Sequence, residues 1–163
     1  KHMARTTFFS FHYDNDIWRA SKVRNSDIVD ESIEESGFFD GASWESIKRD
    51  GDDAVRDWIN RQMKGCSVTV VLIGSDTYDR KWINYEIEKS YEEGMGLVGV
   101  RIHKIRDEDG NRDQHGENPL SRCQDSDTGE SLTSIFNTYD WVDDNGHENL
   151  GDWVEEAAQL ADR

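Results

Sequence analysis

The chain has 163 residues, which is enough for one domain with a single sizeable core. Its 19 basic and 35 acidic residues give a net charge of −16, which argues against nucleic acid as the main partner because phosphate backbones are bound by clustered Lys and Arg. Only 34% of the chain is hydrophobic, but six Trp, six Phe and five Tyr supply enough large apolar surface to exclude global disorder.

The acidic residues are spread between apolar segments, which indicates a solvated surface of the halophilic type. We expect a cytoplasmic protein without a membrane partner, because no apolar stretch approaches the roughly 18 residues that span a bilayer and no signal-peptide pattern is found. Cys66 and Cys123 stand far apart, which suits a reducing compartment and predicts no metal site. Residues 1–3 are interpreted as vector-derived, so that residues 4–163 form one domain.

The first predicted strand covers residues 6–11, a β-branched and aromatic run that ends in a polar loop. A helix over residues 17–24 follows, with Asp16 as its N-cap. The sequence leaves the structure of residues 25–41 open. Their acidic part favours a helix, whereas residues 37–41, which contain two Phe, favour either a short second strand or a loop.

The next predicted helix covers residues 44–64, with Ser43 as its cap and Gly51 as a point where it can divide in two. Residues 67–74 follow as an almost continuous apolar strand, which is typical of a parallel strand covered on both faces. The remaining predicted elements are a helix over residues 82–93 closed by Gly94, a strand over 97–105, a long loop over 106–130, a short strand over 135–142 and a terminal helix over 149–161.

Strands that alternate with helices predict a three-layer α/β fold, with a doubly wound, mainly parallel sheet of about five strands, like that of flavodoxin. Such sheets bind ligands beyond the carboxyl ends of their strands, at a switch in strand order. Residues 9–16, residues 74–82 and the loop from Arg106 onward are therefore expected at the ligand edge.

Several common site patterns are missing from the sequence. It contains no GxxxxGK[ST], GxGxxG or GxSxG pattern, so phosphate loops of these kinds and the nucleophile elbow are not supported. The histidines stand alone rather than in a metal-binding pair, and we interpret most of them as structural or solvated. His12 is the exception, since it follows the first strand at the ligand edge.

Trp82 and Glu86 are four residues apart, so on a helix they lie one turn apart on the same side. A carboxylate beside an indole, near the start of a helix at the ligand edge, can be partly desolvated and aimed into the cleft. This is the outline of a catalytic arrangement. The alternative is that Glu86 merely favours a helix N-terminus and that Trp82 belongs to the core.

Two segments resemble TIR domains. Residues 8–14, FFSFHYD, resemble the first box of the family, and residues 75–86, SDTYDRKWINYE, resemble its motif S-x-x-Y-x-x-x-W-x-x-x-E. More narrowly, residues 8–26 resemble the prokaryotic TIR-like subfamily that includes the TIR subunit of Thoeris anti-phage systems. The chain departs from classical TIR domains at residues 36–44, SGFFDGASW, where these have an RDxxPG loop. The residues in register with the second motif are Ser75, Tyr78, Trp82 and Glu86.

The resemblance implies an enzyme that cleaves NAD as its substrate, with no bound cofactor. Glu86 falls where NAD-cleaving members have their catalytic glutamate, and the product would be ADP-ribose or a cyclic isomer that switches on a partner effector. The resemblance also implies self-association, in which one chain completes another's site. The lack of an RDxxPG loop argues against pairing with adaptor domains as receptor TIR domains pair. It argues less against catalytic activity.

Cleavage of the nicotinamide–ribose bond develops positive charge on the ribose, as glycoside hydrolysis does, and a carboxylate stabilises that charge in a dry site. We assign this role to Glu86 and place Tyr78 among the substrate-binding residues. The other candidate substrate contacts are Phe11 and Trp82 as apolar walls, Ser10, His12 and Ser75 as hydrogen-bond donors, and Arg19 or Arg24 as partners of the pyrophosphate.

Two other classes of function are compatible with the same topology. A TIR-like scaffold that only binds partner proteins needs no carboxylate in register with Trp82. A receiver-type phosphoacceptor would need acidic residues directly after the first strand, where Ser10 and Phe11 stand, and a Lys after Phe136, where none follows. Flavodoxin-like cofactor binding lacks a Ser/Thr-rich loop after the first strand.

Overall fold

The computed structural model describes residues 5–26, 33–36 and 41–162, and these residues form one sheet with helices on both faces. The strands are β1 (Arg5–Ser10), β2 (Ile33–Ser36), β3 (Val68–Ile73), β4 (Gly96–Arg101) and β5 (Thr138–Asp140). The α-helices are α1 (Tyr13–Arg24), α2 (Gly41–Arg49), α3 (Asp52–Met63), α4 (Lys81–Glu92), α5 (Leu132–Ile135) and α6 (Gly146–Leu160), and a short 3₁₀ helix spans Pro119–Arg122.

All neighbouring strands are parallel, and their order is β2-β1-β3-β4-β5. The chain passes from β1 to β2 on one side and then returns past β1 to β3 on the other side. The strand order therefore switches between β1 and β3, which is where open α/β sheets bind ligands. The predicted doubly wound parallel α/β sheet is confirmed.

The two faces of the sheet are covered because side chains alternate along each strand. Phe9 of β1 joins a buried apolar cluster with residues of α1 and α6, whereas its neighbour Phe8 joins a second cluster with residues of α3 and α4. All six residues of β3 are buried, as predicted for a strand with helices on both faces. Burial of each Val, Leu or Ile side chain there contributes about 1.5–3 kcal/mol to the free energy of folding.

The start of α1 differs from the prediction. The helix begins at Tyr13 rather than Ile17, with His12 as the N-cap, so the prediction that Asp16 caps it is wrong. Asp16 is the fourth residue of the helix, and its side chain is fully buried against Gly74. Aspartate prefers the cap position, but the contact with Gly74 outweighs that local preference. The end of α1 at Arg24 is as predicted.

The second strand lies in the acidic run for which the sequence favoured a helix. Residues 33–36 pair in parallel with β1, and this pairing overrides their modest strand propensity. The sequence also favoured residues 37–41 as either a short strand or a loop, and residues 37–40 of that range lie outside the described residues. Gly51, with a φ of 99°, divides the next predicted helix into α2 and α3, as anticipated, whereas Ser43 lies inside α2 rather than at its cap.

The second half of the chain follows the predicted order of elements. Strand β4 ends at Arg101 rather than Ile105, because the chain turns after the backbone N–H of Ile102 donates to the carbonyl of Ile73. Residues 106–130 have little regular structure apart from the 3₁₀ helix. Within the described residues, no helix combines the length and apolar character needed to cross a bilayer.

Gly96, at the start of β4, is expected to tolerate no side chain. A Cβ there would lie 2.3 Å from the carbonyl oxygen of Ala157 in α6, so Gly96→Ala has to push the helix off the sheet. We expect a loss of about 1–3 kcal/mol in the free energy of unfolding, measured by denaturant titration. Gly94→Asn serves as the control, because Gly94 has open space and Asn adopts its positive φ of 73° readily. Equal stability of Gly96→Ala and the wild type would contradict the close contact.

Candidate functional site

A cavity of about 280 Å³ opens at the carboxyl end of β1, beside the switch in strand order. Three parts of the chain form it: the end of β1 with the first turn of α1, one face of α2, and the first two turns of α4. The described residues that line it are Phe8, Phe9, Phe11, His12, Tyr13, Asp14, Trp44, Lys48, Arg80, Lys81, Trp82, Ile83 and Glu86.

The floor of this pocket is apolar, whereas its rim is polar. Phe8, Phe9 and Ile83 line the pocket and are each at most 3% exposed, and Glu86 is the buried carboxyl among the described lining residues. The rim is formed by side chains that are partly or fully exposed, among them Asp14, Lys48, Arg80 and Lys81. A ligand that enters the pocket therefore meets charge first and an apolar surface beneath it.

Glu86 is 8% exposed and accepts a hydrogen bond from Ser10. The Ser10 Oγ donates to Glu86 Oε1 over 2.6 Å. Ser10 is the last residue of β1 and points to the face covered by α3 and α4, and Glu86 is in the second turn of α4. The contact thus joins two elements that are 76 residues apart in the chain.

Burial raises the pKa of Glu86 to about 8, because a carboxylate loses its hydration in the apolar floor. The hydrogen bond from Ser10 acts in the opposite direction and favours the charged form. At neutral pH burial therefore keeps Glu86 mainly as the neutral acid. A positive charge placed beside it would favour the carboxylate, because opposite charges stabilise each other strongly where water is excluded.

Trp82 forms part of the wall between this floor and the rim. Its ring meets Tyr85 edge-on, with the ring centroids 5.8 Å apart. Two cations lie against the indole: Lys81 Nζ is 4.9 Å and the Arg56 guanidinium carbon 5.7 Å from its centroid. Cations near an indole face are attracted by its electron density, so Trp82 helps to hold positive charge at this side of the pocket.

His12 lines the pocket close to two of the three rim cations, Arg80 and Lys48. Burial is the main cause that lowers the pKa of His12, and Arg80 and Lys48 lower it further, while Asp14 and Asp76 raise it. A neutral imidazole results at physiological pH. Such a ring can donate one hydrogen bond and accept another, which suits contact with sugar hydroxyl groups.

Four of the nine predicted site residues line the pocket, and a fifth, Ser10, reaches it through Glu86. Of the other four, Ser75 donates to Asp113 Oδ2 over 2.7 Å, and Tyr78 packs against the Arg122 guanidinium, whose carbon is 5.1 Å from the ring centroid. Neither residue lines the pocket, and both contact the segment that follows β4. The four lining residues are Phe11, His12, Trp82 and Glu86.

The two arginines predicted to meet a pyrophosphate are placed elsewhere. Arg19 is 5% exposed, and its guanidinium donates to the carbonyl oxygens of Ile105 and Asn111 over 2.7 and 3.0 Å. Arg24 is exposed in the last turn of α1, about 16 Å along the helix axis from its start. Helix periodicity turns Arg19 toward the loop after β4, so it anchors that loop.

Sequence reasoning missed the residues that α2 brings to the pocket, Trp44 and Lys48. Their spacing of four indicates a shared helix face, but no local pattern shows that α2 packs over the end of β1. Arg80 and Lys81 had a local signal, since this basic pair directly precedes Trp82 in the recognised motif. Its position at the start of α4 places both cations at the rim.

Behind the pocket, on the α1 face of the sheet, a second carboxylate is buried. Asp16 is fully buried, and it accepts hydrogen bonds from Asn15 Nδ2 over 2.9 Å and from Thr77 Oγ1 over 3.4 Å. Thr77 in turn accepts from the backbone N–H of Gly74 over 2.8 Å. These contacts tie the first turns of α1 to the loop that leads into α4, and so they fix two walls of the pocket relative to each other.

Comparison with known proteins gives concordant matches. Residues 8–107 match the family model described as "Thoeris protein ThsB, TIR-like domain". A curated protein of Bacillus cereus (strain MSX-D12), provisionally named a cyclic ADP-D-ribose synthase, ThsB1, is 33% identical over 191 residues. The match covers 93% of this chain and the whole of the relative, so the pocket lies inside the matched region.

Asp16→Asn is expected to stabilise the protein above about pH 6. Burial raises the pKa of Asp16 to about 6, so the folded state holds this proton more tightly than the unfolded state does. The free energy of unfolding therefore falls as pH rises from about 4 to about 6, and Asn avoids this loss. Denaturant titration should show a gain of about 1–3 kcal/mol at pH 7.5 that vanishes near pH 4.

The exposed carboxylate of Asp57 on α3 supplies the control, because Asp57→Asn removes the same charge from the surface of an acidic chain. A gain for Asp16→Asn that equals that of Asp57→Asn at every pH would show that the burial of Asp16 carries no such cost.

Proposed function

The chain belongs to the Thoeris ThsB TIR-like family, and from this premise we propose that it is an NAD-processing enzyme of anti-phage defence. It cleaves the bond between nicotinamide and ribose and releases ADP-ribose or a cyclic ADP-ribose isomer. The observation that carries the proposal is the buried Glu86 carboxyl, held by Ser10 at the floor of an apolar pocket. It is the residue that falls on the catalytic glutamate of NAD-cleaving TIR domains.

Cleavage breaks the bond between C1′ and the pyridinium nitrogen, and both electrons of that bond stay with nicotinamide, which leaves as a neutral molecule. The ribose then carries the positive charge as an oxocarbenium-like centre, as in glycoside hydrolysis. Stabilisation of this developing charge by a fixed group in a water-excluded site is the main contribution that a protein can make to such a step.

We assign this role to Glu86. The pyridinium of NAD is itself positive, so its entry favours the ionised form of a carboxyl whose pKa burial raises to about 8. The resulting carboxylate orients the ribose hydroxyls and stabilises the charge that moves onto C1′. Trp82 and Phe11 provide apolar walls for the nicotinamide, and Ser10 keeps the carboxylate in place.

The product depends on the nucleophile that reaches C1′ first. Water gives ADP-ribose and releases a proton, whereas a hydroxyl group or ring nitrogen of the same nucleotide gives a cyclic isomer. The apolar floor around Phe8, Phe9 and Ile83 supports the second outcome, because it limits water beside C1′ and an intramolecular group has a high effective concentration. The Bacillus cereus relative is named as a cyclic ADP-D-ribose synthase, which also supports a cyclic product.

The resemblance to TIR domains supports two further parts of the proposal. The enzyme acts as an assembly in which neighbouring chains complete each other's sites, and its product diffuses to a separate effector that it activates. The charge of −16 suits this arrangement, because the protein signals through a small nucleotide rather than by binding nucleic acid itself.

Glu86→Gln is expected to abolish NAD cleavage while leaving the fold intact, since Gln keeps the volume of Glu and can still accept from Ser10. We expect nicotinamide release to fall by at least about 10²–10³-fold. The measurement is NAD turnover at high protein and salt concentration, with products resolved by mass spectrometry to separate hydrolysis from cyclisation. Glu88→Gln, an exposed carboxylate on the same helix, is the matched control. Turnover that survives in Glu86→Gln would contradict the catalytic role.

The pH dependence of kcat/KM should report the Glu86 carboxyl. Because the ionised form is the active one and the pKa of the group is raised to about 8, kcat/KM should rise with pH through that value. Ser10→Ala removes a hydrogen bond that favours the charged form, so it should move the midpoint to higher pH. A midpoint in Ser10→Ala that is equal to or lower than that of the wild type would show that another group controls the profile.

A further inference from the structure

We propose that Lys48 and Arg80 form a diphosphate subsite at the rim of the pocket, and that this subsite selects dinucleotides over nucleosides. The inference rests on the proposed function, because it states which part of NAD the rim holds. It also provides the pyrophosphate partners that Arg19 and Arg24 do not, since Arg19 anchors the loop after β4 and Arg24 lies at the far end of α1.

The lining of the pocket is richer in cations than the chain as a whole. The whole chain has almost twice as many acidic as basic residues, with 35 against 19. Among the described residues that line the pocket the balance is reversed: three cations, Lys48, Arg80 and Lys81, stand against two carboxyls, Asp14 and Glu86. Burial also favours the neutral form of Glu86 near pH 7. The carboxylates that pair with the three cations lie outside the lining, so an anionic ligand in the pocket meets the cations directly.

Two separate elements bring cations to the same pocket. Lys48 comes from the last turn of α2, and Arg80 is the N-cap of α4. Both line the pocket, and both are close enough to His12 to lower the pKa of its imidazole. Two cations from separate elements beside one entrance suit the two phosphate groups of a diphosphate.

The carboxylate partners of these cations are exchangeable. Lys48 Nζ lies 3.1 Å from Glu45 Oε1 on its own helix and 5.3 Å from the centroid of the Trp44 ring. The Arg80 guanidinium contacts the Asp76 carboxylate, and its Nε donates to the Asp76 backbone carbonyl over 3.0 Å, which leaves the carboxylate contact free to be exchanged. These carboxylates are more than half exposed, at 56% and 54%. Exposed ion pairs contribute about 0–1 kcal/mol each, whereas charge-assisted bonds to phosphate are stronger. A phosphate can therefore displace either carboxylate at little cost.

The spacing along α4 suits a ribose and the phosphate attached to it. Arg80 and Glu86 are six residues apart, which is a rise of about 9 Å along the helix axis. In NAD the reacting C1′ is separated from the first phosphorus by the ribose ring and the C5′ methylene group. A ribose with its C1′ beside Glu86 on the floor therefore directs its phosphate toward the rim, where the flexible side chains of Lys48 and Arg80 meet it.

The test measures binding in a Glu86→Gln background, so that no ligand is consumed. Isothermal titration calorimetry compares NAD with nicotinamide riboside, which has the same reacting end without any phosphate. We expect Lys48→Gln and Arg80→Gln each to weaken NAD binding about tenfold and to change nicotinamide riboside binding less than about twofold. Arg49→Gln is the matched control, because Arg49 adjoins Lys48 on α2 and is exposed. It should leave both affinities unchanged.

The inference is overturned by any of three results: unchanged NAD affinity in both variants, equal losses for NAD and nicotinamide riboside, or no NAD binding by the Glu86→Gln protein. The outcome is separable from that of the proposed function. Wild-type turnover of NAD with unchanged NAD affinity in Lys48→Gln and Arg80→Gln removes the subsite and leaves the function. Absence of turnover with NAD binding that depends on Lys48 removes the function and leaves the subsite.

Discussion

The hydrogen bond between Ser10 and Glu86 is the contact on which the site depends. It places a carboxyl of α4 at the end of β1, at the one position in the sheet where the strand order switches. The apolar floor around this carboxyl makes its ionisation costly, because each buried neighbour removes water that would otherwise hydrate the charge. The same residues that build the core between β1 and α4 therefore also determine the acidity of Glu86.

Among the described residues, two buried carboxyl groups lie at the carboxyl ends of the strands, one on each face of the sheet. Glu86 lies on the face of α4 and opens into the pocket, whereas Asp16 lies on the face of α1 and is closed in by Gly74 and Thr77. Burial raises the pKa of both, so each lowers the free energy of unfolding at neutral pH. The extensive apolar clusters on the two faces of the sheet offset this cost. The apolar core thus allows the fold to keep both carboxyl groups buried.

The surface and the pocket of this protein follow opposite electrostatic patterns. The chain as a whole is strongly acidic, with a net charge of −16, but the rim of the pocket gathers Lys48, Arg80 and Lys81. An exposed carboxylate lies near each of these cations and balances its charge. A strongly acidic chain thus keeps three cations at one pocket without a permanently unpaired cationic patch.

The sequence by itself determined the elements with strong local patterns and the identity of the central carboxylate. The apolar run of β3 can only be a strand covered on both faces, and the spacing of Trp82 and Glu86 places them on one side of a helix whatever surrounds it. The recognised motif added the catalytic assignment, because its residue types stand in register. These conclusions need only neighbours in the chain.

Tertiary structure alone decided where the other side chains point. Asp16 is a residue type that caps helices, but it is buried inside α1. Residues 33–36, in an acidic run, form a strand because they pair with β1. Arg19 was expected at the pyrophosphate site, but it binds the loop after β4. Trp44 and Lys48 reach the pocket only because α2 packs over the end of β1. Each outcome follows from contacts between distant segments, whose energies exceed the small local preferences that a sequence pattern expresses.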